Sequence, residues 1–218
     1  PVENALYGAE GLTELQAGEA RFTDRRIYSL PLACPLPVIA AMQGHGIGAG
    51  WSLGLYCDAA IFATEGLYHS NYLWYGFTPG AGATLIFPHR LGDDLGREVL
   101  FSAREYRGRE LAGRARHLDV LPAARVLGEA LARAHALARQ PKVDLIAAKA
   151  DGVATVARHL DEVLEREFAM HETTFIGNDR VRARIAEKFG DVSPAPAQQP
   201  TPPSVGRADP RPTIRERL

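Results

Sequence analysis

A glycine-dense turn between an apolar strand and a helix constrains the fold of this chain more than any other segment. The apolar run Pro37–Met42 is followed by glycines at positions 44, 46, 48 and 50, and Trp51–Cys57 has helical character. The first N–H groups of a helix have no partners within it, and their positive end attracts anionic oxygen. Because glycine has no Cβ, the backbone can approach a ligand closely. The segment therefore predicts either a turn that stabilises an oxyanion or a tight turn that only packs a strand against a helix.

The composition excludes several classes of function. The turn is not G-x-G-x-x-G and no GK[ST] follows it, so it is neither a dinucleotide nor a P-loop motif. With a net charge of −1 over 218 residues, no overall field favours nucleic acid or an anionic membrane as a partner. Cys34 and Cys57 lack the spacing of a metal site and are typical of reduced thiols. No apolar run reaches about 18 residues and no signal peptide is present, so we expect a cytoplasmic protein.

Apolar runs predict strands at Val38–Met42, Ala59–Ala63 and His117–Leu121, and helical spacing predicts later helices at Val143–Lys149 and Val156–His171. This order indicates an α/β fold with a helical C-terminal region. We expect three parts: a core over residues 1–155, a helical region over 156–190, and a disordered tail over 191–218. The helical region has an apolar stripe at helical spacing, formed by Val156, Leu160, Val163, Leu164 and Phe168. The tail carries seven of the fifteen prolines. Because the chain begins at Pro1, we also expect that its N-terminal strands are truncated.

The order of the motifs resembles the crotonase (enoyl-CoA hydratase/isomerase) superfamily. The motifs are the glycine turn AMQGHGIGAG, the segment YGFTPGAGAT at Tyr75–Thr84, and MHETTF at Met170–Phe175. The residues of these motifs are most similar to those of the decarboxylating enoyl-CoA-hydratase-like proteins of polyketide β-branching. The resemblance implies a lyase built as a spiral of ββα repeats and assembled as a homotrimer. It also implies loss of CO2 from a 3-methylglutaconyl-type thioester, carried on the phosphopantetheine of an acyl carrier protein or on coenzyme A, with no other cofactor and no metal.

The chemistry of that reaction defines which groups the site needs. Decarboxylation leaves a dienolate, whose charge on the thioester oxygen is stabilised by backbone N–H donors. The motif assigns one donor to Ala49, beside Gly48, and a second near Leu6–Gly8, where the usual glycine pair is absent. Hydratases of the superfamily use two glutamates, and the matching positions here are Ser52 and Tyr72. Ordinary crotonyl-CoA hydration is therefore not expected.

The resemblance assigns the proton donor to His171, which continues the apolar stripe of its helix and should face inward. The alternative is a histidine that only completes the core. The decarboxylating branch also uses a lysine before the glycine turn to attract the leaving carboxylate, and no lysine precedes the turn here. Arg21 can replace that cation, since a guanidinium binds carboxylates well, or it is a solvated loop charge.

Further residues are candidates for binding the substrate. Ser70 and Asn71 can donate hydrogen bonds to its carboxylate, and His45 either contacts the acyl chain or only supports the turn. Aromatic residues line either an acyl pocket or an ordinary core: Tyr68, Tyr72, Trp74, Tyr75 and Phe77. Lys149 either meets a carrier phosphate or is an exposed helix charge. Two other functions stay open: a dehydratase or isomerase of a related enoyl thioester, and an inactive subunit that docks a carrier protein.

Overall fold

The computed structural model describes residues 27–189. Three predictions therefore lie outside the described residues: the carboxylate-binding role of Arg21, the second oxyanion donor near Leu6–Gly8, and the tail at 191–218. The predicted truncation of the N-terminal strands lies there too.

Two small sheets form the framework of the described part. The first contains β1 (Ile39–Met42), β3 (Ala59–Ala63) and β6 (Asp119–Leu121), all parallel, in the order β1-β3-β6. The second contains β2 (Gly46–Ile47), β4 (Leu67–His69) and β5 (Glu105–Arg107), in the order β2-β4-β5. The strands of the first sheet were predicted from the sequence. Those of the second, two or three residues long, are too short to show an alternating pattern.

Helices cover these sheets. A 3₁₀ turn at Ile27–Ser29 leads into the helices, which are α1 (Leu30–Ala33), α2 (Ala49–Tyr56), α3 (Tyr72–Tyr75), α4 (Ala83–Leu91), α5 (Asp93–Ser102), α6 (Gly108–Arg114), α7 (Ala123–Leu137), α8 (Lys142–Thr174) and α9 (Asp179–Phe189). Helix α4 was not predicted, and Pro88 within it weakens its sequence signal. Within residues 27–189, no helix is both long and apolar enough to cross a membrane.

Helix α8 differs from the prediction. The sequence indicated two helices, Val143–Lys149 and Val156–His171, with a boundary between parts at 155/156, whereas one continuous helix covers both segments. Gly152 costs the helix only about 1 kcal/mol relative to alanine, and continuing a helix is far easier than nucleating a new one. The boundary expected at 155/156 therefore falls inside a single helix. The stripe itself is as predicted, since Val156, Leu160, Val163 and Leu164 are buried.

The core fixes the glycine turn between the two sheets. Trp51 of α2 is fully buried, with its ring centroid 4.8 Å from that of Phe87 and 5.5 Å from that of Tyr68. The Tyr68 hydroxyl accepts a hydrogen bond from Ala63 N at 2.9 Å and donates one to Met42 O at 3.2 Å. Tyr68 thus ties the second sheet to two strands of the first and holds the turn between β1 and α2 in place.

Candidate active site

The glycine turn contains a backbone donor that no described residue accepts from. Gly48 has φ 53° and ψ −127°, a conformation that disfavours any residue with a Cβ. Its N–H donates to His69 O at 2.8 Å, and its carbonyl accepts from Trp51 N and Ser52 N. Ala49 N–H, at the first position of α2, has no acceptor among residues 27–189, and Ala49 is half-buried. Within residues 27–189, the turn therefore leaves one N–H without an acceptor at the positive end of a helix.

The end of β4 lies beside this turn. A Cβ on Gly48 would come within 2.5 Å of Asn71 Oδ1, so the Asn71 side chain is in direct contact with the turn. Ser70 is fully buried, and its Oγ has no hydrogen-bond partner within the described part of the chain. A buried hydroxyl without a partner costs about 1–3 kcal/mol. The two polar residues predicted to bind substrate, Ser70 and Asn71, thus adjoin the glycine turn.

The two positions that the resemblance matches to the glutamates of hydratases carry hydroxyl groups. Ser52 Oγ and Tyr72 OH are 3.4 Å apart, and both residues are buried. Burial raises the pKa of Tyr72 well above its ordinary value, and the hydrogen bond between Tyr72 and Ser52 opposes that shift only in part. The pair stays protonated near neutral pH, so neither residue can act there as an anionic base.

His171 packs against two aromatic residues, Phe77 and Phe175. Its ring centroid is 5.7 Å from that of Phe77 and 5.9 Å from that of Phe175, and Phe77 is 5.9 Å from Tyr72. Nε2 lies 2.9 Å from Thr78 O, and because a carbonyl only accepts, Nε2 must carry a proton. Burial lowers the pKa of His171, while the carbonyls of Thr78 and Pro79 raise it. The prediction that His171 faces inward is confirmed.

Glu167 was not identified from the sequence. It is 2% exposed, and its carboxylate accepts hydrogen bonds from Gly82 N at 2.6 Å, Thr84 N at 2.8 Å and Thr84 Oγ1 at 2.6 Å. Burial raises its pKa to about 7, and the three donors oppose that shift. The signal that would have found it is a carboxylate between Leu164 and Phe168, inside an apolar stripe, one helical turn before His171.

Two predicted substrate contacts lie apart from this cluster. His45 is exposed and its Nδ1 accepts a hydrogen bond from Leu67 N at 3.0 Å, which is the supporting role left open for it. Trp74 is 46% exposed, its carbonyl accepts from Arg184, and the Lys188 ammonium lies 5.6 Å from its ring centroid. Trp74 borders an outer groove of about 610 Å³, because the one-turn helix α3 turns Tyr72 inward and Trp74 outward.

Both readings of Lys149 are wrong. Its side chain is 2% exposed, with Nζ 2.5 Å from Asp58 Oδ2 and 2.9 Å from Pro31 O. The same Asp58 oxygen accepts from Val38 N at 2.7 Å, just before β1. Lys149 therefore ties α8 to the base of the first sheet, and its charge is neither exposed nor available to a phosphate.

Comparison with known proteins agrees with this geometry. Residues 7–190 match the enoyl-CoA hydratase/isomerase family along most of the chain. The chain belongs to this family. As a crotonase-family member it is similar to the bacillaene synthase decarboxylase PksI of Bacillus subtilis, with 46% identity over 182 residues, 84% of this chain and 73% of that protein.

Solved structures of the crotonase family give the same grouping. A structure of a dehydratase/decarboxylase enzyme couple involved in polyketide β-branching is 46% identical, with a TM-score of 0.76 over 81% of this chain and 69% of that one. The ECH2 decarboxylase domain of CurF from Lyngbya majuscula is 34% identical, with a TM-score of 0.73 over 83% and 73%. The predicted α/β crotonase-like fold is confirmed, as is the prediction of an enzyme of the lyase class, a decarboxylase of polyketide β-branching.

Proposed function

We propose that this crotonase-family enzyme decarboxylates a 3-methylglutaconyl-type thioester carried on the phosphopantetheine of an acyl carrier protein or on coenzyme A. One observation carries the proposal. The hydroxyl pair Ser52–Tyr72 stands at the positions matched to the two carboxylates of a hydratase, and Tyr72 and the imidazole of His171 both lie against Phe77. The site therefore combines an oxyanion donor and an acid with no carboxylate base at the hydratase positions.

Loss of CO2 is the first step. The thioester oxygen accepts a hydrogen bond from Ala49 N–H, which has no other acceptor in residues 27–189. As the bond from the γ-carbon to the carboxylate breaks, its electron pair delocalises through the double bond onto that oxygen. A donor placed where this charge develops is worth about 3 kcal/mol, and the positive end of α2 adds to it. Gly48 allows the substrate to approach the turn closely.

Protonation is the second step. His171 gives a proton to the γ-carbon of the dienolate, which forms the 3-methylcrotonyl-type product and leaves a neutral imidazole. The Nε2–H hydrogen bond to Thr78 O fixes the ring, so the donated proton comes from Nδ1 of the imidazolium. Burial, which lowers the pKa of His171, makes that imidazolium a stronger acid. Tyr72 and Phe77 are the apolar surface against which the branched acyl chain packs.

The leaving carboxylate needs polar partners until it departs. We assign Ser70 and Asn71 to it, because both side chains are buried beside the glycine turn and the Ser70 hydroxyl is not otherwise engaged within the described part of the chain. Arg21 is the proposed cation in place of the family's lysine. Ser52, paired with Tyr72, completes the proposed substrate contacts. The family resemblance supports a homotrimer, and the reduced thiols predicted for Cys34 and Cys57 support a cytoplasmic location.

The test is direct. The protein is incubated with a 3-methylglutaconyl-loaded acyl carrier protein, and intact-protein mass spectrometry follows the acyl group. The proposal is supported if the acyl group loses the mass of CO2 and if His171→Asn abolishes that loss or slows it by roughly 10²–10⁴-fold. A product lighter by water indicates a dehydratase, an isobaric product an isomerase, and tight carrier binding without turnover a docking subunit.

A further inference from the structure

Helix α8 sends two side chains to the same segment of the chain. Glu167 and His171 are four residues apart and therefore lie on one face of the helix. Glu167 contacts Gly82 and Thr84, and His171 contacts Thr78 and Gly80. The segment Thr78–Thr84, called here the imidazole loop, is thus held at one end by a carboxylate and at the other by the imidazole itself.

The carboxylate uses both of its oxygens. Oε2 accepts from Gly82 N, and Oε1 accepts from Thr84 N and from the Thr84 hydroxyl. All three donors lie at the N-terminus of α4, where the helix leaves its first N–H groups without partners. A carboxylate with three donors at 2.6–2.8 Å, buried in the core, fixes the position of this end of the imidazole loop far better than an exposed cap would.

The loop between the two ends has an unfavourable conformation. Ala81 and Gly82 both have left-handed φ, 60° and 71°, and for alanine this costs roughly 1–2 kcal/mol. Gly80 lies against the imidazole, and Thr78 is held from the other side by the Thr174 hydroxyl at 2.9 Å. A strained loop keeps its shape only while the contacts around it persist, and the contact next to Ala81 is the one to Glu167.

We propose that Glu167 is a positioning residue for the proton donor: by anchoring Gly82 and Thr84 it fixes the imidazole loop, whose Thr78 carbonyl and Gly80 backbone set the orientation of the His171 ring. This role rests on the proposed function of His171 as the acid. Glu167 touches neither the substrate nor the reacting atoms. Its effect reaches the reaction through the backbone of the loop.

The test replaces Glu167 with glutamine. In Glu167→Gln one oxygen can still accept, but the amide NH2 faces an N–H donor, so one end of the loop loses its anchor. The matched control is Thr84→Val, which removes only the hydroxyl donor and keeps both backbone hydrogen bonds. We expect a roughly 10- to 100-fold drop in kcat for Glu167→Gln with KM little changed, and a drop below about threefold for Thr84→Val.

A purely structural role would not change where the proton goes. The dienolate accepts it at the γ-carbon, giving the 3-methylcrotonyl product, or at the α-carbon, giving the β,γ-unsaturated isomer. We expect the parent to form the first and Glu167→Gln to form both. If folded Glu167→Gln produces the parental isomer ratio at the parental kcat, the proposal is overturned. Glu167→Asp, which keeps the charge but is one methylene shorter, serves if the glutamine variant does not fold, and it should shift the ratio in the same direction.

A measurement of the His171 tautomer does not depend on enzyme activity, so it separates the positioning role of Glu167 from the proposed function. In selectively labelled protein, nitrogen NMR reports which ring nitrogen of His171 carries the proton, and the contact to Thr78 O predicts Nε2–H in the parent. We expect a mixture of tautomers in Glu167→Gln. An unchanged Nε2–H tautomer in that variant refutes the positioning role, even if decarboxylation is observed. A changed tautomer in a protein that releases no CO2 refutes the proposed function and leaves the positioning role intact.

Discussion

Replacing Gly80 by alanine is the sharpest test of the site, because the added methyl group points at the proposed acid. A Cβ built on Gly80 would lie 2.9 Å from Nε2 of His171 and 3.5 Å from Nδ1, with Cε1 closer still. The backbone of Gly80 is not in the left-handed region, so alanine adds no backbone strain there. The substitution therefore changes little except the space available to the imidazole.

The size of the effect follows from these distances. Carbon atoms in ordinary contact are about 3.5–4.0 Å from their neighbours. Because Cε1 is the nearest ring atom to the added Cβ, the ring must move by more than about 1 Å or rotate away from Thr78 O. A misplacement of about 1 Å can reduce a rate by about 10²-fold, or about 3 kcal/mol of activation free energy. We expect a loss of that order in kcat for Gly80→Ala, with an increased share of the β,γ-unsaturated isomer.

The assay measures CO2 loss and isomer ratio by mass spectrometry and chromatography, alongside the melting temperature. Gly152→Ala is the control, since this exposed glycine of α8 has no atom within 4 Å of an added Cβ, and alanine should stabilise the helix by about 0.5–1 kcal/mol. If Gly80→Ala folds and turns over within twofold of the parent with an unchanged isomer ratio, the imidazole is not the acid or does not need its present position.

Three further predictions follow from the same geometry. Because burial lowers the pKa of His171, the imidazolium fraction should fall as pH rises through a value below about 6.5. The yield of the 3-methylcrotonyl product should fall with it. A pH series from 5 to 8 in which parent and His171→Asn behave alike would count against this. Lys149→Met leaves Asp58 without its buried partner, so the free energy of unfolding, measured by urea denaturation, should fall by about 3 kcal/mol while kcat is unchanged. Loss of carrier binding without loss of stability would contradict the structural role of Lys149. Gly48→Ala places a Cβ 2.5 Å from Asn71 Oδ1 on a residue whose φ is 53°, so we expect reduced stability and at least a tenfold lower kcat. A variant with parental kcat would show that the turn does not hold the thioester oxygen.

The motifs of the sequence were sufficient for the reaction class. The sequence identifies three candidate residues because each is recognised by its identity at a fixed place in a motif. They are Ser52 and Tyr72, at the positions matched to hydratase glutamates, and His171. The N–H of Ala49, which has no acceptor in the described part of the chain, is also foreseeable, since a helix leaves its first N–H groups without partners inside the helix. Strands β1, β3 and β6 were predicted because apolar runs mark buried strands at any position in a fold.

Tertiary structure decided the partners of each side chain. Nothing local shows that Glu167 caps the N-terminus of α4, because its donors are more than 80 residues away along the chain. Nothing local shows that Lys149 pairs with Asp58 or that Trp74 faces an outer groove. A sequence pattern determines which groups a segment offers and which face it buries. The groups it meets depend on long-range packing, and the burial and hydrogen bonds of Glu167 and His171 arise only once α8 lies across the Thr78–Thr84 loop.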